Sequence, residues 1–285
     1  MTREIADMHG KTAIVTGANA GIGWVTARSL AQAGARVWIG CRTLAKAQAA
    51  SAQIRAEVPN ADLRPWQLDL GDLAQVRTSA QEFLDSSEPL DLLVNNAGLA
   101  GSQGVTHDGF EIHFGTNHLG PYLLTRLLLS RLQAQAASRI VLVASRGHYR
   151  SKGLIWGNLQ QPTKTKAGFN EYCDSKLANV LTAKTLSERL KGTGVTVYSL
   201  HPGVVASEIW RRVPQPFRWV MLRFMITVEQ GAQTSLYCAT SPQLASESGL
   251  YYDKCKAVKP SRLARDATLA QELWQRSAQW VGLEP

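Results

Sequence analysis

The chain has 285 residues, of which 45% are hydrophobic and 19% charged, and it carries a formal net charge of +9 from 31 basic and 22 acidic side chains. This is the composition of an ordinary globular protein, and no apolar run approaches the ~20 residues that a bilayer-spanning helix requires. A positive balance suits an anionic membrane, nucleic acid or a phosphorylated cofactor. The cations are dispersed rather than interleaved with aromatics in one block, so no nucleic-acid partner is expected.

Four scattered cysteines, Cys41, Cys173, Cys238 and Cys255, form no CxxC pair, which fits a reducing compartment better than a disulfide framework. Residues 1–10 carry charges and no apolar run, so a cytoplasmic location is expected. Nothing in the composition marks a linker or a repeat. We therefore read residues 1–285 as a single domain, with a cofactor half at about 1–145 and a catalytic and substrate-lid half at about 146–285.

In chain order, a strand at Thr12–Thr16 runs into Thr16-Gly17-Ala18-Asn19-Ala20-Gly21-Ile22-Gly23, and a helix follows. Glycines there permit a tight turn and close backbone approach to a pyrophosphate at the positive end of the helix. The spacing is Gly-x3-Gly-x-Gly, not G-x-G-x-x-G. A second strand at 36–39 ends in Gly40-Cys41-Arg42. An NAD site usually places Asp or Glu at this tip to hold ribose hydroxyls. Arginine pairs with a phosphate instead, so NADP(H) is expected, with Arg42 as the contact and Lys46 as a second. Thr43 is an N-cap candidate for a helix at 44–58.

A third strand at 63–68 leads to Asp69, placed to meet the adenine amine, and to Leu70 in the same loop. A helix at 73–84, a strand at 90–94 and Asn95-Asn96-Ala97-Gly98 come next, then Asn117 on a helix beginning near Thr116, and a helical pattern at 122–135. A fifth strand at 139–143 ends at Ser145. Tyr172-Cys173-Asp174-Ser175-Lys176 places a tyrosine and a lysine four apart on one helix face, before a helical pattern at 175–191. A sixth strand at 195–200 precedes Pro202-Gly203. Near-continuous apolar strands alternating with helices imply strands buried on both faces. The fold class expected is α/β: a single Rossmann-type doubly wound domain, its mostly parallel sheet flanked by helices on both faces, with ligands at the carboxyl ends of the strands.

The stretch 207–227 (SEIWRRVPQPFRWVMLRFMIT) is strongly apolar and basic, and is read as a lid over a lipophilic pocket. Residues 210–226 are also a candidate for peripheral contact with anionic lipid. Near the end of the chain, Leu269, Leu273, Trp280 and Val281 would line the inward face of a terminal helix. His107, His113, His118, His148 and His201 show no metal-ligand pattern, so no metal is expected; His118 and His201 read as packing or backbone-bonding groups.

Taken in order, these motifs resemble the short-chain dehydrogenase/reductase family across the whole chain. The runs Tyr172-Cys173-Asp174-Ser175-Lys176-Leu177-Ala178-Asn179 and His201-Pro202-Gly203-Val204-Val205, together with Glu229-Gln230-Gly231-Ala232, resemble its retinol dehydrogenase-like branch. The resemblance implies a catalytic set of Asn117, Ser145, Tyr172 and Lys176. It implies a cofactor surface of Gly17, Asn19, Gly21, Ile22 and Gly23 at the first turn, with Arg42, Asp69 and Leu70 beyond it. Asn96, Ala97 and Gly98, then Tyr172 and Lys176, then Pro202, Gly203, Val205 and Ser207 complete that surface. Ser145 would bond the substrate oxygen, Tyr172 would act as acid/base, and Asn117 would hold a water linking Lys176 to solvent. Free tyrosine titrates near 10, so acting at neutral pH needs about 4 kcal/mol of help. An ammonium at about 4 Å supplies that at an effective dielectric near 20.

The expected function is an NADP(H)-dependent oxidoreductase interconverting a lipophilic alcohol and its aldehyde or ketone, with a small-molecule substrate as its partner. The segment 146–171 resembles the branch's insertion and should wall the pocket. Many relatives in the branch carry an N-terminal apolar segment that residues 1–10 lack, which argues against retinol itself. The resemblance suggests a homodimer or homotetramer through the helices at 122–135 and 175–191. A catalytically idle NADP(H)-binding sensor or scaffold is the alternative, disfavoured by the intact four-residue set. A nucleotide-sugar epimerase is disfavoured by the Asn-Asn-Ala-Gly motif and the glycine spacing.

Overall fold

Eight strands form one sheet, in the order β3-β2-β1-β4-β5-β6-β7-β8, in a computed structural model that describes residues 5–203 and 226–285. The strands are β1 (Thr12–Thr16), β2 (Arg36–Cys41), β3 (Leu63–Gln67), β4 (Leu92–Asn95), β5 (Ser138–Val143), β6 (Val195–His201), β7 (Leu250–Asp253) and β8 (Lys256–Ala257). The first seven are mutually parallel, and β8 turns back antiparallel on β7. The order reverses between β1 and β4, which opens a crevice at their carboxyl ends where a dinucleotide binds in such sheets.

The helices are α1 (Gly21–Gln32), α2 (Leu44–Glu57), α3 (Leu73–Asp85), a single turn α4 (Ile112–Phe114), α5 (Gly120–Gln133), α6 (Phe169–Arg189), α7 (Val228–Thr240) and α8 (Ala267–Trp280). They cover both faces of the sheet, and the side-chain period of two divides the core between them. On β1, Ile14 enters the cluster with Phe83, Leu123 and Leu181, while Ala13 and Val15 enter the one with Val25, Leu30 and Leu236. All five β1 residues are buried.

Local chemistry sets several helix starts. Thr43, Asp72 and Asp266 accept the N–H groups of Lys46, Gln75 and Leu269 at the starts of α2, α3 and α8. Thr227 and Gln230 form a reciprocal capping box on α7. The helix carrying Tyr172 begins at Phe169, six residues before the pattern at 175–191 implies. Its N-cap is Gly168 at φ +60°, with no side-chain cap.

The terminal helix packs as its apolar pattern predicts, with Leu273, Trp274 and Val281 buried. It lies against α6 and α5, the two helices expected to carry self-association. There the Tyr122 hydroxyl donates to Trp274 O, and the guanidinium carbons of Arg126 and Arg189 stand 4.9 and 4.6 Å from the Trp274 ring. That part of the α5–α6 surface is thus occupied by the chain itself. No helix among the described residues is long and apolar enough to cross a membrane. The stretch 204–225, which holds most of the lid read from the sequence, lies outside the described residues.

Candidate active site

The turn after β1 is built around three glycines with separate tasks. Gly17 stands at φ +65°, and a Cβ on it would lie 2.8 Å from Ala97 Cα. Gly23 has no room for a side chain either, since its Cβ would come within 2.3 Å of Asn96 Nδ2 and 2.4 Å of Gly17 O. Gly21, at φ +58°, faces open space. Asn96 ties the second motif to the first: its Nδ2 donates to Thr16 O at 2.8 Å, while Thr16 Oγ1 accepts from Asn96 N and Ala97 N. The N-cap of α1 is Ala20, which supplies no side-chain acceptor, and the first turn contains no acid. Its amides and dipole therefore face outward, as an anion-binding helix end requires. Ile22 is half-buried beside the turn and Asn19 is exposed on it.

At the tip of β2, Arg42 and Lys46 are exposed, and neither pairs with a carboxylate among the described residues. Asp69 is half-buried, with Oδ1 accepting from Gly71 N at 2.9 Å, and Leu70 is buried beside it. These residues fit a nicotinamide dinucleotide, with a side-chain-free cradle at a helix N-terminus and two exposed cations at the tip of β2.

The four residues assigned to catalysis come from different elements and meet at the carboxyl edge of the sheet. Ser145 follows β5. Its Oγ accepts from Gly147 N at 3.0 Å, and a Cβ on Gly147 would lie 3.4 Å from that Oγ and 3.2 Å from Tyr172 Cε1. The serine and tyrosine side chains thus converge on the bare α-carbon of Gly147. Lys176, one turn along α6, donates from Nζ to Val143 O at 2.9 Å, with Nζ 5.7 Å from the centre of the Tyr172 ring. The same Nζ would lie 3.2 Å from a Cβ on Gly98, and Asn117 Oδ1 would lie 3.3 Å from it. Asn117 sits in a π-helical turn, Gly115–Leu119, where its amide accepts from Leu99 N and donates to Leu99 O and Ser175 Oγ.

Burial controls the titration here. The Tyr172 hydroxyl lies deeper than the half-buried residue as a whole, so desolvation holds its pKa above the ordinary tyrosine value, against a hydrogen bond with Ser145 that lowers it. Desolvation also brings Lys176 down to about 8. Removing both groups from water thus penalises the tyrosinate and the ammonium alike.

The motif Pro202-Gly203 ends β6, with Gly203 at φ +98° and Ile226 Cδ1 2.3 Å from where its Cβ would stand. Val205 and Ser207 lie outside the described residues.

A model described as short chain dehydrogenase matches residues 11–157. Over 97% of its length the chain is 45% identical to retinol dehydrogenase 11 of Mus musculus, covering 88% of that protein. It is 43% identical to retinol dehydrogenase 12 of Homo sapiens, over 99% of this chain and 89% of that one. The chain belongs to the short-chain dehydrogenase/reductase family. Within it, the chain is retinol dehydrogenase-like. The family frame extends to the structure: an uncharacterised protein from Mycobacterium paratuberculosis superposes with a TM-score of 0.79 at 30% identity, over 99% of this chain and 97% of that one. As a member of this family the chain is a nicotinamide-dependent oxidoreductase of alcohol or carbonyl groups.

Within the family's site, three histidines serve as supports. His148 Nδ1 bonds Ser145 O at 2.6 Å and its Nε2 accepts from Ser261 N. His201 Nδ1 accepts from Arg146 N, and burial brings the ring down to about 4. His118 is fully buried, bonds Ser277 Oγ at 2.9 Å and titrates near 3 for the same reason. All three are neutral at pH 7. Sequence reasoning saw in His113 only a histidine without a metal-ligand pattern and passed over its buried partner Glu111 and the half-buried Thr163, which bond together behind Tyr172. The one signal was an acidic residue two positions ahead of a histidine in an otherwise apolar stretch.

Proposed function

We propose that this protein is an NADP(H)-dependent oxidoreductase that interconverts a lipophilic alcohol and its aldehyde or ketone, with Tyr172 as acid/base. The observation that carries the reading is the convergence of Ser145 Oγ and the Tyr172 ring on Gly147, with Lys176 Nζ and Asn117 Oδ1 both facing Gly98. Gly17, Gly21 and Gly23 would hold the pyrophosphate against the α1 amides, and Arg42 with Lys46 would meet a 2′-phosphate. Asp69 and Leu70 would bound the adenine, while Asn96, Ala97, Gly98, Pro202 and Gly203 would line the path to the nicotinamide. Val205 and Ser207 would follow from the sequence motif.

When bound, the nicotinamide supplies the hydride donor or acceptor. Ser145 Oγ orients the substrate oxygen by a hydrogen bond. The Tyr172 hydroxyl gives that oxygen a proton in reduction and takes it back in oxidation. Lys176, kept as an ammonium, favours the tyrosinate by charge. Because burial raises Tyr172, the positive ring of the oxidised cofactor is the second charge needed to bring it into range. Asn117 faces the same Gly98 α-carbon as Lys176 and is bonded to the Leu99 backbone, so it would line the route by which the lysine exchanges a proton with water.

A water-poor substrate is supported by the relatives' names, which specify retinol, and by the apolar, basic stretch 207–227. From its sequence that stretch would serve as a lid, with peripheral lipid contact as the alternative. The test is NADPH and NADH oxidation over carbonyls from small ketones to retinal and polycyclic ketones, with Tyr172→Phe as control. Turnover of bulky apolar carbonyls with NADPH, lost in Tyr172→Phe, is expected. NADPH binding without turnover across the panel would favour a sensor.

A further inference from the structure

Behind the catalytic tyrosine lies a buried acid–imidazole pair outside the proposed chemistry. Glu111 is 1% exposed and His113 0%. The His113 Nδ1–H donates to Glu111 Oε1 at 2.8 Å, which fixes the ring's orientation. The same glutamate ties its own turn to a second chain segment. Its Oε2 accepts from His113 N and Phe114 N at 2.8 and 2.9 Å, starting α4. Its Oε1 accepts from Thr163 Oγ1 at 2.6 Å, and Glu111 N donates to Leu159 O at 2.9 Å. The insertion between Ser145 and Tyr172 is thereby tied to the turn that leads into Asn117.

The other edge of the imidazole points at the start of α6. A Cβ on Gly168 would lie 2.3 Å from His113 Cε1 and 3.1 Å from His113 Nε2, with Ser102 O at 2.6 Å on another side. The ring edge therefore fills the notch left by a residue without a side chain. His113 Nε2 is buried and has no hydrogen-bond partner among the described residues, so this contact is one of shape. Gly168 O in turn accepts from Tyr172 N at 2.9 Å, and the His113 and Tyr172 ring centres are 6.4 Å apart. The contact stands four residues ahead of Asn117 on one side and four ahead of Tyr172 on the other. One junction sets both helical segments.

We propose that His113 is a positioning residue: oriented by Glu111, its ring seats in the Gly168 notch and holds the first turn of α6, and so Tyr172, in register with the segment that carries Asn117. The proposal rests on the reading of Tyr172 as acid/base. A 1 Å misplacement of a reacting group can cost about 100-fold in rate, and the junction is within one helical turn of both groups.

The experiment is a double-mutant cycle of His113→Ala and Gly168→Ala in the full chain. It reads kcat, KM, NADPH affinity and thermal stability, with Tyr172→Phe alongside. His113→Ala is expected to lower kcat by about 10- to 100-fold while NADPH affinity stays within about 2-fold, since the cofactor turn is built from other elements. Gly168→Ala, whose new methyl group collides with the ring and with Ser102 O at a φ of +60°, should be at least as impaired. In the double variant the clash with the ring is gone while the approach to Ser102 O and the φ of +60° remain, so kcat should lie above the product of the two single effects. Wild-type kcat in His113→Ala, whatever its melting temperature, would overturn the proposal, as would a double variant no better than the product of its singles. Should Tyr172→Phe turn over like the wild type, the acid/base reading itself falls and takes this proposal with it. A dead Tyr172→Phe beside a fully active His113→Ala removes only the positioning role.

Discussion

Gly23→Ala probes how the cofactor turn is held. The added methyl group would stand 2.3 Å from Asn96 Nδ2 and 2.4 Å from Gly17 O, where ordinary contact begins at 3.4 Å. About 1 Å of movement is needed, and one obstacle is a backbone carbonyl in the glycine turn itself. Overpacking of this kind costs about 1–3 kcal/mol, and replacing a helical glycine by alanine returns up to about 1 kcal/mol. The net loss should be about 1–2 kcal/mol, or a few degrees in melting temperature. Binding should suffer more, because a displaced turn withdraws backbone amides from a charged phosphate, each such bond being worth about 1.5–3 kcal/mol. NADPH titration by protein fluorescence should show affinity reduced at least about 10-fold. Gly10→Ala supplies the control: its φ is +73°, nothing lies within 4 Å of its Cβ, and the turn is away from the site. It should lose similar stability and keep full affinity. Wild-type NADPH affinity in Gly23→Ala would refute the reasoning.

Arg42→Ala should raise the KM for NADPH by about 10- to 100-fold and leave that for NADH nearly unchanged, from the loss of one charge-assisted contact; steady-state kinetics with both cofactors checks it. Lys176 binds its proton less tightly when folded, at about 8 against 10.5, so between these values the unfolded chain carries the extra proton. Its contribution to stability therefore rises with pH across that window and is lost as pH falls through 8. Urea unfolding at several pH values should show a rise that is absent in Lys176→Met. Trp274→Ala empties a site that is 3% exposed between Tyr122, Arg126 and Arg189, and should cost about 3–5 kcal/mol in denaturant unfolding.

Three of the residues assigned to catalysis were placed by the sequence because Ser145 follows a recognisable strand and Tyr172 stands four residues before Lys176, whereas Asn117 lies in a π-helical turn that spacing does not mark. The start of α6 was not legible, since Gly168 caps by backbone geometry and by the room it leaves for His113, with no side-chain signal. β7 was missed because Leu250–Asp253 is four residues long, and β8 because two exposed residues have no pattern. The capping box of Thr227 and Gln230 was present in the sequence and would have marked α7. The balance on Tyr172 was illegible for another reason: it depends on how much water the fold removes, which residue spacing does not encode.

The docking of α8 also orders events in time. Tyr122 meets Trp274 across 152 residues and His118 meets Ser277 across 159, so these contacts belong to the slow, non-local part of folding. On the ribosome, α6 ends at Arg189 and α8 begins only at Ala267. At about 5–20 residues per second, roughly 4–16 s separate the two. Throughout that interval the nascent chain shows an aromatic-lined strip beside its catalytic helix, open to chaperones or to another nascent copy. Closing it falls to α8.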